Sequence, residues 1–289
     1  MSRACITFDF DAISLWIVRG MTTPGPVSRG EFGAYAIPRI LKALGDRDIT
    51  GTFFIPGHTV ETYPEESRMI RDAGHEIALH GYAHELVSNQ TPEEEAASVD
   101  RAIEVFDRVL GVQAVGLRTP AWDYTDATIG IIEDRGLLYD SSLMGQDYRP
   151  YWVRKGDVVH PDRATEFGER TGIVEIPVTW TLDDYPQVEY LKTATSVMPG
   201  PKTAKEMFDS FHDDFAYMQR IDPEGIHMVT MHPQVTGRGQ RMLHFEDYLD
   251  RLIADGAEFV TCEQIARDFV AEQSAAEQAT AQAGGVTPA

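Results

Sequence analysis

The sequence predicts an α/β fold built on a parallel sheet, open or closed into a barrel. Three observations point there. Helix-like stretches end in a glycine and pass straight into an apolar run, as in "MIRDAGHEIALH", "IIEDRGLLYDSS" and "LIADGAEFVT". Glycine after a helix accepts the left-handed conformation, and the run beyond it reads as a strand. Helix starts carry caps, and the unusual polar residues fall just after apolar runs. Alternating strands and helices over residues 4–270 imply parallel pairing.

Taken in order, Ala4-Cys5-Ile6-Thr7-Phe8 reads as a strand interior, and "TFDFDA" places Asp9 and Asp11 at its end. Side chains two apart on a strand point the same way, so these carboxylates converge and call for a metal, an arginine or a shared proton. Residues 12–35 hold several Gly and Pro and predict a long loop or flap over the sheet edge. Thr62 and Thr91 each precede a Glu by three residues (Glu65, Glu94), a capping-box pattern, and Pro92 suits a first helical position. Val99, Ile103, Phe106 and Leu110 then recur at helical spacing before Gly111, a core-facing stripe. Residues 141–172 read as irregular and mixed in charge. No second domain is expected: residues 1–271 form one catalytic domain, and residues 272–289, rich in Ala, Gln and Gly, read as a disordered tail.

The 289 residues suffice for a sizeable core. With 46 acidic against 25 basic residues the net charge is −21, which argues against nucleic acid and anionic membranes as partners. Two cysteines, Cys5 and Cys262, imply no disulfide framework. No export signal or membrane-spanning run is legible, so a cytoplasmic enzyme is expected. Neither G-x-G-x-x-G nor a phosphate-binding loop occurs, which removes the usual supports for dinucleotide redox chemistry and phosphoryl transfer.

The polar residues carry the functional reading. His80 and His84 follow "EIAL", Arg118 follows "AVGL" within "RTPAW", Asp140 ends "GLLYD", Asp183 and Asp184 follow "IPVTWTL", and His232 ends "HMVTM". All would lie at strand C-terminal ends, the face where parallel α/β folds build their sites. His80 and His84, four apart, with one carboxylate make a two-histidine, one-carboxylate metal set that leaves a position for water. Asp140, Asp183 and Asp184 are each candidates to keep His232 protonated.

In order and spacing, "TFDFDA", "HGYAH", "RTPAW" and "TMHPQ" resemble the motifs of the polysaccharide deacetylases (carbohydrate esterase family four) over roughly residues 4–270. The resemblance implies a distorted parallel (β/α) barrel and hydrolysis of amides with a divalent metal: zinc first, with nickel, cobalt or manganese as alternatives. It implies that Asp11, His80 and His84 are metal ligands, Asp9 the general base, Arg118 its orienting partner and His232 the general acid, with Pro120 and Trp122 supporting or contacting substrate. The sequence departs from the usual pattern where Phe10 separates the two aspartates, Ala12 replaces a glycine and Gly81 stands for Ser or Thr. These departures resemble a branch of peptidoglycan deacetylase-like proteins, allantoinases and cyclic imide hydrolases.

The expected activity is therefore N-deacetylation of N-acetylated sugars. The alternatives are hydrolysis of small cyclic imides or ureides and, in another class, a non-catalytic metal- or glycan-binding module. An open groove favours sugar chains and a capped pocket favours small rings. The apolar cluster Leu15, Trp16, Ile17, Val18 and Met21 would be costly if exposed, so a homo-oligomer is expected.

Overall fold

A computed structural model describes residues 1–189, 191–192, 197–198, 200 and 202–284. The strands are β1 (Arg3–Asp9), β2 (Thr52–Ile55), β3 (Glu76–Leu79), β4 (Gly116–Leu117), β5 (Tyr139–Asp140), β6 (Tyr151–Lys155), β7 (Glu169–Glu175), β8 (Leu191–Lys192), β9 (Val197–Met198), β10 (Ile226–Met231) and β11 (Glu258–Phe259). Nine of them form one curled sheet in the order β10-β1-β2-β3-β4-β5-β7-β6, with β11 also on β1. Every pair is parallel except β6–β7. The chain beyond β7 swings back to β10, where Asp183 bridges Thr230 in parallel, so the sheet curls almost into a barrel.

Alternation along β1 sorts its side chains. Ala4, Ile6 and Phe8 join the cluster packed under the helices. Cys5 joins the interior cluster with Phe54, Ala78, Tyr139 and Val174, floored by Cys262, Ile265 and Ala266 of the last helix. Thr7 and Asp9 share the parity of Cys5, which sends the Asp9 carboxyl into the barrel.

The glycines expected after helices, Gly74, Gly111, Gly136 and Gly256, all have positive φ. Thr91 caps the helix Pro92–Val105 in a full capping box with Glu94. Thr62 does not cap: it ends the helix Gly57–Thr62, and Pro64 makes Tyr63 the N-cap of the next helix. An equivalent box that the sequence reading missed, Thr203 with Glu206, opens the helix Ala204–Ile221.

Three irregular stretches prove ordered. Residues 12–35 are not a long loop: a short helix, Ser14–Ile17, precedes the helix Pro24–Gly45. Pro24 and Pro26 sit in its first turn, where a missing N–H costs nothing, and Pro38 lies inside it. Gly30 is required by close packing, since a Cβ there would lie 2.6 Å from the Ala12 carbonyl oxygen. Leu15 and Trp16 of the apolar cluster are buried within the chain, while Ile17 and Met21 are half-buried and Val18 is exposed. Residues 141–172 contain β6 and the start of β7, a hairpin. The expected tail instead continues the helix Cys262–Gly284, and residues 285–289 lie outside the described residues. Among the described residues no helix is long and apolar enough to cross a membrane.

Candidate metal centre and its flanking pairs

Asp9 ends β1, His80 follows β3, Arg118 follows β4 and His232 follows β10, so four C-terminal strand ends meet at one face. At its centre lies Asp11. This carboxylate is wholly buried, and neither oxygen has a hydrogen-bond partner among the described residues. His80 Nε2 lies 3.5 Å and His84 Nε2 3.6 Å from Asp11 Oδ1. These separations are too long for hydrogen bonds. They match the spacing of ligand atoms around a shared ion, because two ligands about 2.1 Å from zinc at a tetrahedral angle lie about 3.4 Å apart.

The surroundings prepare the ligands for a cation. His80 Nδ1 is 2.8 Å from the Arg118 carbonyl; that oxygen can only accept, so Nδ1 carries a proton, which fixes the ring with Nε2 turned to Asp11. His84 occupies the left-handed region at φ 62, and burial holds its imidazole well below the usual range, hence neutral. Burial pushes the Asp11 carboxyl up to about 6 despite His232 and His80 beside it. The residues present fit a divalent metal: one carboxylate and two imidazoles whose Nε2 atoms face it.

Two charge pairs flank this set. On one side Arg118, wholly buried, donates to Asp9 Oδ1 at 2.7 Å, to Thr7 Oγ1 at 3.0 Å and to the Ser141 carbonyl and hydroxyl at 3.0 Å each. Burial would raise Asp9, but Arg118, His80 and His232 hold it below the usual carboxylate range. On the other side His232 Nδ1 lies 2.7 Å from Asp184 Oδ1, while its Nε2 points to Asp11 Oδ2 at 3.7 Å. Burial would lower the imidazole; Asp183 and Asp184 raise it well above the usual range.

Of the three carboxylates proposed for His232, Asp184 is therefore the partner. Its Oδ2 also accepts from the His232 N–H and the Thr236 hydroxyl. Asp183 stands 3.7 Å from Nδ1 and lines the cavity. Asp140 does not reach the site. It holds the Ser142 hydroxyl at 2.9 Å, beside Glu175, which accepts from the Ser142 and Leu143 N–H groups, and Ser142 in turn accepts from the Thr119 N–H. Glu175, which the sequence reading did not single out, ends β7 after Ile173 and Val174, the same strand-end signal that marks the other polar residues. Pro120 also stays out of the cavity, packing on Gly81: a Cβ at Gly81, whose φ is +66, would lie 3.1 Å from the Pro120 ring. This contact explains glycine at that position.

The cavity over Asp11 measures about 90 Å³ and is walled by Leu15, Arg19, Trp122, Trp180 and Tyr185. Trp122 and Trp180 stack with centroids 4.1 Å apart, and Tyr185 leans on His232 at 5.3 Å. It is a small pocket, open to solvent on one side, and well below the roughly 300–1,000 Å³ of ordinary ligand clefts. A larger depression of about 820 Å³ opens by Tyr124, Gln146, Tyr151 and Lys155 and contains none of the candidate residues.

Residues 25–139 match the family model for polysaccharide deacetylase. The chain is 32% identical over 276 residues to a peptidoglycan deacetylase of Helicobacter pylori, spanning 91% of this chain and 94% of that protein. This chain belongs to the polysaccharide deacetylase family. A peptidoglycan deacetylase-like protein of Gibberella zeae is 30% identical over 295 residues, covering 94% of this chain and 87% of its own. Among solved structures, a Mycobacterium smegmatis chain assigned as a polysaccharide deacetylase superposes with a TM-score of 0.82 at 31% identity, covering 94% of this chain and 91% of that one. An allantoinase superposes at 0.76 over 93% and 90% of the two chains, with 20% identity, and shares the fold. The curled sheet is thus the (β/α) barrel of this deacetylase family.

Proposed function

We propose that this deacetylase-family chain is a metal-dependent hydrolase of non-peptide C–N bonds that removes acetyl groups from N-acetylated sugars. One observation carries the reading. A buried carboxylate with two unpaired oxygens meets the Nε2 atoms of two imidazoles, between an aspartate kept ionised by an arginine and a histidine kept protonated by an aspartate.

When bound by Asp11, His80 and His84, a divalent metal supplies Lewis acidity toward the amide carbonyl and acidifies water. Asp9, ionised and fixed by Arg118, accepts the proton of the attacking water at its free Oδ2. General base help of this kind is worth roughly 10²–10⁴-fold. His232, held charged by Asp184, delivers a proton from Nε2 to the departing nitrogen, and solvent returns a proton to His232 as Asp9 releases its own. The Trp122 N–H is taken by the Thr119 carbonyl at 3.0 Å. Ala121, at φ 54 and lining the cavity, is the remaining backbone donor for the developing oxyanion.

The small size of the cavity, about 90 Å³, favours a second reading, in which the substrate is a small cyclic imide or ureide. A sugar would enter acetamido group first, from a chain end or a short fragment. The non-catalytic binding module is disfavoured, because base and acid pairs are intact and aimed at one point. A cytoplasmic setting and a homo-oligomer belong to the proposal. The test is a panel with zinc-, nickel- or cobalt-loaded protein. Acetate release from chito-oligomers or peptidoglycan fragments supports the deacetylase, and ring opening of succinimide, hydantoin or allantoin supports the second reading. Turnover of neither, or activity untouched by Asp9→Asn, refutes the assignment of roles.

A further inference from the structure

Arg19 plays no part in the chemistry above, yet it lines the same cavity as Asp11, His84, Asp183 and His232. It follows the short helix Ser14–Ile17, and its Nη1 donates to the Leu15 carbonyl at 3.1 Å. The guanidinium carbon lies 6.0 Å from the ring centroids of both Trp16 and Tyr185, the limit of cation–π attraction. Its charge reaches Asp11, His84 and Tyr185. Among the described residues it has no carboxylate partner, although the chain holds 46 acidic side chains and nearly twice as many acids as bases. Arg118, the other arginine of the site, is fully engaged with Asp9, Thr7 and Ser141. Arg19 is exposed to solvent and its protein acceptor is one backbone carbonyl, so most of the fork is open to a ligand.

The charge balance sharpens the point. Asp9 cancels Arg118, and Asp184 cancels His232. With these pairs closed, Arg19 is a cation lining the cavity that has no carboxylate partner among the described residues. Such a guanidinium, in a chain of net charge −21, is suited to an anion. The planar fork fits a carboxylate bidentately.

We infer that Arg19 is a specificity-determining residue that recognises a carboxylate on the substrate, so that the amide cleaved here is carried by an acid rather than by a neutral sugar or ring. This rests on the hydrolase reading and narrows its substrate class to sugar acids or N-acyl amino acids. Both offer the same pair of oxygens beside an acetamido group, and the experiment separates them.

The experiment compares wild type with Arg19→Ala and Arg19→Lys, in metal-loaded and chelator-stripped protein, against N-acetylmuramic acid, N-acetylalanine, N-acetylglucosamine and succinimide. With metal, Arg19→Ala should raise KM for the preferred acid about 10- to 100-fold, the scale of a lost charge-assisted pair, with kcat much less affected. Arg19→Lys should recover part of this, since an ammonium restores charge but not the fork. Without metal, the preferred acid should raise the melting temperature of wild type but not of Arg19→Ala, and N-acetylglucosamine should shift neither. Preference for N-acetylmuramic acid identifies a sugar acid, and preference for N-acetylalanine an acylated amino acid. Binding of neutral compounds as tight as that of acids, or acid binding unchanged in Arg19→Ala, overturns the inference. If no compound is hydrolysed, the proposed reaction fails, and the metal-free melting shifts still decide the role of Arg19.

Discussion

Replacing Arg118 by Met tests the most demanding arrangement in the molecule, a fully buried guanidinium holding a nearly fully buried carboxylate. The wild-type side chain satisfies Asp9, Thr7 and two Ser141 oxygens and lies 3.9 Å from the centroid of Phe54. Methionine fills part of the volume but supplies no donor and no charge. Breaking a buried pair by removing one partner costs about 3–5 kcal/mol, mostly through the charge left behind. That is a large share of the about 5–15 kcal/mol by which a domain is stable. The double variant Asp9→Asn/Arg118→Met removes both charges, so its loss should be smaller than the sum of the single losses by about 1–3 kcal/mol. The assay is urea unfolding of metal-free protein at pH 7, followed by tryptophan fluorescence and circular dichroism. Arg118→Met within about 1 kcal/mol of wild type would refute the reasoning, as would strict additivity of the two substitutions.

Three further outcomes follow from the structure. Elemental analysis should find one divalent metal per chain in wild type and Asp9→Asn, and none in His80→Ala, because only His80 of these residues belongs to the ligand set. Gly30→Ala should destabilise by about 1–3 kcal/mol and weaken metal binding, since its Cβ would press on Ala12 next to Asp11; Gly25→Ala, with nothing within 4 Å, should lie within about 0.5 kcal/mol of wild type in the same unfolding assay. His75 accepts from the Gly51 N–H at Nδ1, and burial pushes its imidazole down to about 4 from 6.5. Its folded form is therefore the neutral one, and stability present above pH 6.5 should be lost as pH falls toward 4, by about 2–3 kcal/mol. His75→Asn, which keeps an acceptor but cannot titrate, should show a shallower loss over that window, and equal slopes would contradict the assignment.

The sequence by itself determined the alternation of strand and helix, the glycines that end helices, and the placement of Asp9, His80, Arg118 and His232 at strand ends. These are local signals: hydrophobic period, left-handed caps and residues bordering apolar runs are written within a few positions of each other. Even the parity that sends Asp9 inward with Cys5 and Thr7 follows from alternation along one strand. Tertiary structure decided what depends on distance between remote segments. It chose Asp184 over Asp140 and Asp183 as the partner of His232, because only the return of the chain beside Thr230 brings that carboxylate within 2.7 Å. It turned the glycine- and proline-rich stretch into a helix, because Gly30 permits contact with Ala12 that no side chain would allow. It set Glu175 beside Asp140 and placed Arg19 in the cavity wall, neither of them singled out in the sequence reading. Which carboxylate a cation meets, and which cation meets none, is a property of packed surfaces, and no local pattern encodes it.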